Sequence, residues 1–379
     1  MKKAICFSLF FILIPAKFIQ AQDTLAFKGQ LSGWLHYNSE NKFNTWSGGR
    51  YIPQLNYTCP LKNNHQLDWE ASANVFGTLG TTGSNSLSSD GRIKPYRMWG
   101  RYSARQFEFR VGLQKINFGS ASLLRPLMWF DQVDPRDPLK LTDGVWGSLA
   151  RYYFLNNANV WIWGLYGNEN PKGWEAVKSN TTIPEFGGRF QVPMSRGEAA
   201  LSYHHRIADS RDLDDSLYHY AKIPENRIGF DVRFDRIVGC WLEASWVTKS
   251  KKMGMLTNQE ILNLGMDYTF GLGNGLNATF EQLFAAYDEK AFEFSKSVSF
   301  SLLNLNYPIG LFDHISLVVY YDWRNKTSYN FINWQKQLNK VSFYVMGYIN
   351  PANYTIPTQE SGKNFYAGSG IQLMLVYNY

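Results

Sequence analysis

Residues 112–147 read GLQKINFGSASLLRPLMWFDQVDPRDPLKLTDGVWG. Immediately before the loop, Phe107, Phe109, Val111 and Leu113 alternate with Glu108, Arg110, Gly112 and Gln114. A period of two is a β-strand with one apolar and one polar face. Immediately after it, WGSLARYYF (146–154) reads as a returning strand. Between the two lie roughly 25 residues, where a strand-to-strand connection usually takes a few, and connections of that length are either functional or disordered. This one carries apolar mass in Leu123, Leu124, Leu127, Met128, Trp129 and Phe130. It is stiffened by Pro126, Pro135 and Pro138, and it gathers Asp131, Asp134, Arg136 and Asp137 at its centre. An ordered, charged loop between amphipathic strands needs a surface to fold against. The inside of a wide barrel supplies one.

The N-terminus points the same way. Lys2 and Lys3 precede the apolar run Ala4 to Ala16, and a small residue follows at Ala21. This is the pattern of a secretory signal peptide, expected over 1–21 with cleavage at Ala21/Gln22. The run is shorter than the ~20 residues a membrane-spanning helix requires. The formal charge of +7 includes Lys2, Lys3 and Lys17, so the mature chain carries +4. That excess is too small to indicate a nucleic-acid partner. Cys59 and Cys240 make no disulfide framework and have no ligating neighbours at metal-site spacing, so neither redox chemistry, a cofactor nor a metal is expected.

Aromatic residues form 16% of the chain while mean hydropathy is −0.32. A transmembrane β-barrel reconciles these values, because it hides its apolar residues by alternation and carries aromatic girdles at both interfaces. Alternation recurs throughout: Leu25, Phe27, Leu31, Leu35 and Tyr37; Leu67, Trp69, Ala71, Ala73 and Val75; Val298, Phe300 and Leu302; Ile315, Leu317, Val319, Tyr321 and Trp323. These are read as lipid-facing. The frame then slips after Leu302 and at Gln282–Leu283, where a bulge or strand end is expected, since a one-residue slip exchanges the faces.

Short turns at 61–65, 104–106, 156–159, 194–197, 235–239, 271–275, 307–313 and 337–340 alternate with long polar connections at 39–48, 79–94, 116–144, 167–184, 208–224, 248–258 and 350–364. Short turns on one side and long loops on the other are the habit of outer-membrane barrels. The expectation is an all-β, antiparallel up-and-down transmembrane barrel over 22–379, with about 18 strands and the 116–144 loop folded inward. Sixteen strands is the alternative if 328–335 belongs to a loop. The final stripe Ile371, Leu373, Leu375, Tyr377 and Tyr379 resembles the C-terminal signal for insertion of such barrels.

The strand end Arg110-x-Gly112-x-Gln114-x-Ile116-x-Phe118-Gly119, followed by FDQVDPRDP (130–138), resembles Gram-negative bacterial outer-membrane porins with a long inward-folding third loop. The resemblance implies an outer-membrane channel for passive diffusion of small hydrophilic solutes and, as a family habit, a homotrimer. A pore constriction is expected from Arg97, Arg101, Glu108, Arg110 and Arg151 on the wall with Asp131, Asp134, Arg136 and Asp137 on the loop, since charged rings select solutes. The competing reading is that wall arginines and loop aspartates pair simply to hold the loop. Trp34, Trp99, Trp146, Trp161 and Trp163 fall at or near polar-face positions, as sugar-stacking platforms or, with the register one residue off, as interfacial girdle. The acidic run Asp209, Asp212, Asp214 and Asp215 lacks EF-hand spacing and reads as a solvated loop.

Two other functions stay open. A scaffold, adhesin or assembly component would use its loops for docking. A barrel enzyme such as a phospholipase would need a Ser-His or Asp-His constellation, for which His36, His204 and His219 are the raw material.

Overall fold

The computed structural model describes residues 23–40, 44–82, 86–133, 137–213, 218–352 and 366–379. The expected signal peptide over 1–21 lies outside them. Eighteen antiparallel strands pair in chain order: β1 (Thr24–Asn38), β2 (Thr45–Pro60), β3 (Gln66–Thr82), β4 (Ser86–Ser103), β5 (Phe107–Gln114), β6 (Val145–Tyr153), β7 (Asn159–Leu165), β8 (Glu185–Met194), β9 (Gly197–Asp209), β10 (Ile223–Asp235), β11 (Gly239–Lys249), β12 (Asn258–Phe270), β13 (Leu276–Asp288), β14 (Ser297–Pro308), β15 (Asp313–Asp322), β16 (Thr327–Leu338), β17 (Val341–Ile349) and β18 (Ser369–Asn378). A two-residue strand at Lys178–Ser179 pairs with the end of β9. β18 pairs with both β17 and β1, from Gln30↔Asn378 to Asn38↔Gly370, and so closes the barrel. The segment 328–335 lies within β16, which decides 18 strands over 16. Closure matters because no unpaired strand edge is tolerated in lipid.

Burial follows the alternation. Leu31, Leu35 and Tyr37 on β1 are exposed, while Ser32, His36 and Asn38 between them are buried inside. Ile371, Leu373, Leu375 and Tyr377 of β18 are likewise exposed to the exterior. Outward aromatic pairs, such as Tyr57–Trp69, Tyr268–Phe270 and Tyr321–Trp323, sit towards strand ends, where amphipathic rings suit the membrane interface.

Three expectations are corrected. Val298, Phe300 and Leu302 point into the barrel: Phe300 and Leu302 are buried against the tip of the inward loop, and Leu303 faces out. With those faces exchanged no slip is needed, and β13 and β14 pair in unbroken register. The register shift instead lies between Ser72 and Ala73, opposite Arg97 and Pro95, where Tyr96 is the extra residue of a bulge. Third, 79–94 is no long loop. β3 and β4 continue as a paired ribbon through Thr82↔Ser86.

Candidate functional site

Strands β5 and β6 are short, and the connection between them, residues 115–144, packs against inward positions of the wall. Its first half is a hydrophobic wedge. Ile116, Phe118, Leu127, Trp129 and Phe130 are buried with Val145, Leu149, Trp163 and Leu165 of the wall. Phe118 stacks on Trp163 with centroids 5.5 Å apart, and Phe130 meets the same ring edge-on at 5.4 Å.

The tip is held by two carboxylates that the sequence reading passed over. Backbone N–H groups of Ser122 (2.7 Å) and Leu124 (2.6 Å) donate to Glu281, and that of Leu123 donates to both of its oxygens (3.1 and 3.2 Å). Those of Ala121 (2.8 Å) and Leu127 (2.6 Å) donate to Glu243. Both glutamates are fully buried on inward positions of β13 and β11. Asn263 on the strand between them donates to the carbonyl of Leu124, and Ser120 donates to Asp231. Gly119, at φ +109°, holds a backbone conformation that side chains rarely adopt and lies where a Cβ would meet the Glu243 carboxylate, so glycine is favoured there. The signal was present in CWLEASWV (240–247), where one acid sits among outward apolar residues. Nothing in that pattern says that its partners are backbone amides from more than 100 residues away.

A second loop, residues 166–184, also folds inward, where the sequence suggested an ordinary external connection. Gly173 (φ +51°) lies against the carbonyl of Met128, and Trp174 Nε1–H donates to the carbonyl of Arg125 at 2.8 Å. Glu175 reaches Arg227 (2.6 Å), Arg206 (3.2 Å) and Lys172 (3.5 Å). Glu225 extends this network to Arg206, Arg227 and Lys249. Lys172 also pairs with Glu185, which accepts from His204 Nε2–H at 3.1 Å. Trp163 Nε1–H donates to His204 Nδ1 at 3.1 Å, which leaves that nitrogen as an acceptor and the ring neutral. Burial pushes the Glu175 carboxyl up, but Arg206, Lys172 and Arg227 outweigh it and hold it below the usual carboxylate range.

The predicted constriction residues separate into groups. Arg101, Glu108, Arg110 and Arg151 do come together: Glu108 accepts from Arg110 (3.0 Å) and lies 3.8 Å from both Arg101 and Arg151. Arg101 also pairs with Asp68 at 2.8 Å. The guanidiniums lie on indole faces, Arg151 3.8 Å above Trp161 and Arg110 4.7 Å above Trp99. Arg97 belongs elsewhere. It is buried and donates to the carbonyl of Thr142, fastening the returning arm of the loop.

Asp131 pairs with Arg125 of the loop itself at 3.0 Å, and Asp137 accepts from the backbone of Leu139. Asp134 and Arg136 lie outside the described residues. The loop is thus secured by wall glutamates and loop amides, and Asp131 pairs within the loop, not with a wall arginine. Of the five tryptophans, Trp34, Trp99, Trp161 and Trp163 share the inward register of their strands, while Trp146 faces outward. Of the acidic run, Asp209 pairs with Arg211 and Asp212 with Lys178. Asp214 and Asp215 lie outside the described residues.

A closed barrel with a lipid-facing exterior and an inward-folded loop defines an outer-membrane protein of the Gram-negative porin fold. The barrel fold is shared with a solved structure. OccAB4 of Acinetobacter baumannii is 9% identical with a TM-score of 0.53, over 95% of this chain and 98% of its own. A substituted porin of Rhodopseudomonas blastica is 13% identical with a TM-score of 0.46, over 94% of this chain and 100% of its own. No family model and no curated protein matches the sequence.

Proposed function

We propose that this barrel is a channel for passive diffusion of small hydrophilic solutes, narrowed by the 115–144 loop and lined beside it by the wall arginines. The observation that carries the proposal is the group Arg101, Glu108, Arg110 and Arg151. It sits on the inner wall and is only partly buried, whereas the charges behind the second loop are almost wholly enclosed. Barrels of 16–18 strands are wide enough for an aqueous lumen. On this stretch of wall Arg101, Arg110 and Arg151 stand with Asp68, Glu70 and Glu108, three charges of each sign, while Arg97 is buried under the returning arm of the loop. Because guanidiniums cover at least one face of Trp99 and Trp161, a bare sugar-stacking slide is not the reading supported there.

The test is single-channel recording from the folded barrel in planar bilayers under a salt gradient. Stable open steps, with an ion preference that shifts toward cations in Arg110→Gln and Arg151→Gln, are the expected result. A folded barrel without conductance overturns the proposal and leaves the scaffold reading. One observation favours that second reading: inward aromatics on β15 to β17 are packed solid with the loop tip. The enzyme reading has little to draw on. His204 is buried between Trp163 and Glu185, His36 between Tyr348 and Gln372, and His219 contacts the carbonyl of Leu213.

A further inference from the structure

The 115–144 and 166–184 connections fold into the barrel. The connection between β13 and β14, residues 289–296, folds the other way. Glu260 on β12 and Ala286 on β13 are cross-strand neighbours on the outward register, where side chains face lipid, yet both are buried. The loop reaches back to Glu260. The backbone N–H of Phe292 donates to Glu260 at 3.1 Å, and the Phe292 ring lies 5.2 Å from that of Trp246, an outward residue of β11. The loop therefore lies against the outside of the barrel wall.

Its conformation is costly and well held. Phe292 (φ +64°) and Phe294 (φ +52°) both occupy the left-handed region, where bulky side chains are outliers. Asp288 fixes the second of them by accepting from the backbone of Phe294 (2.8 Å) and Ser295 (3.0 Å). The product of this strain is two phenyl rings 6.3 Å apart, each 55% exposed, on the outer surface at the loop end of the barrel. Strain that persists because its surroundings enforce it is characteristic of functional segments. Trp246, beside the Phe292 ring, belongs to the same outward register of β11 to β13 that carries exposed Leu264 and Phe284. Lys290, Glu293 and Lys296 of the same loop are exposed, and Lys290 lies 3.7 Å from Glu293.

We infer that residues 289–296 form a lipid-dipping finger that inserts Phe292 and Phe294 among the acyl chains of the outer leaflet. The occupant is lipid because the rings are continuous with the lipid-facing wall. The finger is an anchor at one sector of the rim, and it stands independently of whether the lumen conducts.

Depth measurement tests it. In a Cys59→Ser, Cys240→Ser background, a nitroxide is placed at Phe292→Cys, Phe294→Cys, Leu264→Cys on the wall and Glu169→Cys on the 166–184 loop. The barrels are reconstituted in phosphatidylethanolamine/phosphatidylglycerol vesicles. Labels at 292 and 294 are expected to collide with oxygen in preference to a water-soluble nickel chelate, as at 264 and opposite to 169. Preference for the chelate puts the loop in water, and shielding from both reagents puts it in a protein interface. Either outcome overturns the inference. Should the Phe variants not fold, the unsubstituted barrel is irradiated with a phospholipid carrying a photoreactive acyl chain. Adducts on 289–296 support the finger, and adducts confined to the strands overturn it.

Discussion

Glu281 carries more of the loop than any arginine named from the sequence. Replacing it by alanine leaves the N–H groups of Ser122, Leu123 and Leu124 without their acceptor. The buried N–H of Leu124 so stranded costs about 1–3 kcal/mol, and the partly buried ones of Ser122 and Leu123 cost less. Glu281→Ala is therefore expected to detach the loop tip while the barrel remains closed. Protease cleavage within 115–130 of the folded, reconstituted protein reads this out, and Glu281→Gln, which keeps one acceptor oxygen, should be milder.

Glu175 predicts a pH dependence. Its carboxyl titrates lower in the folded protein than in the unfolded chain, so its contribution is complete above the ordinary glutamate range of about pH 4.3. That contribution falls away as acid passes through the depressed folded value. Cleavage of the 166–184 loop should rise on acidification, and Glu175→Gln should show the low-pH susceptibility already at pH 7. Unchanged cleavage in Glu175→Gln would show that Glu175 does not hold the 166–184 loop.

At the scale of elements, the two inward loops act as a pair, with the second laid over the first. Trp174→Ala removes a hydrogen bond to Arg125 and the packing beside Leu124. It is expected to loosen the 115–144 loop although Trp174 is not part of it, measured as faster amide exchange at Leu123 and Leu124. That coupling was not legible in the sequence. The 166–184 segment has no apolar run of its own, and it is drawn inward by opposite charge on Arg206 and Arg227, which are 31 and 52 residues beyond Glu175. The strands were legible because alternation is a local property of the chain. Where the reading failed, at Val298, Phe300 and Leu302, the alternation itself was sound. The assumption that the more apolar face meets lipid was not, because Leu124 covers that face from inside.

For the whole molecule, closure depends on one strand. β18 is hydrogen-bonded to β17 and β1 along its length, so truncation before Ser369 exposes two strand edges to lipid. The truncated chain is expected not to fold in detergent micelles, scored by loss of the β-sheet circular dichroism signal. The short turns at one end and the longer connections at the other are where the sequence placed them, apart from the β3–β4 ribbon. Alternation, turn spacing and the terminal aromatic stripe by themselves determined a transmembrane barrel of about 18 strands. These are properties of neighbouring residues and of counting, and lipid enforces them everywhere. Tertiary structure alone decided what fastens the loop, which charges meet, and which connection folds onto the outside. Those depend on backbone amides and side chains brought together from distant strands, and a carboxylate's partner across a lumen leaves no periodic trace in the chain.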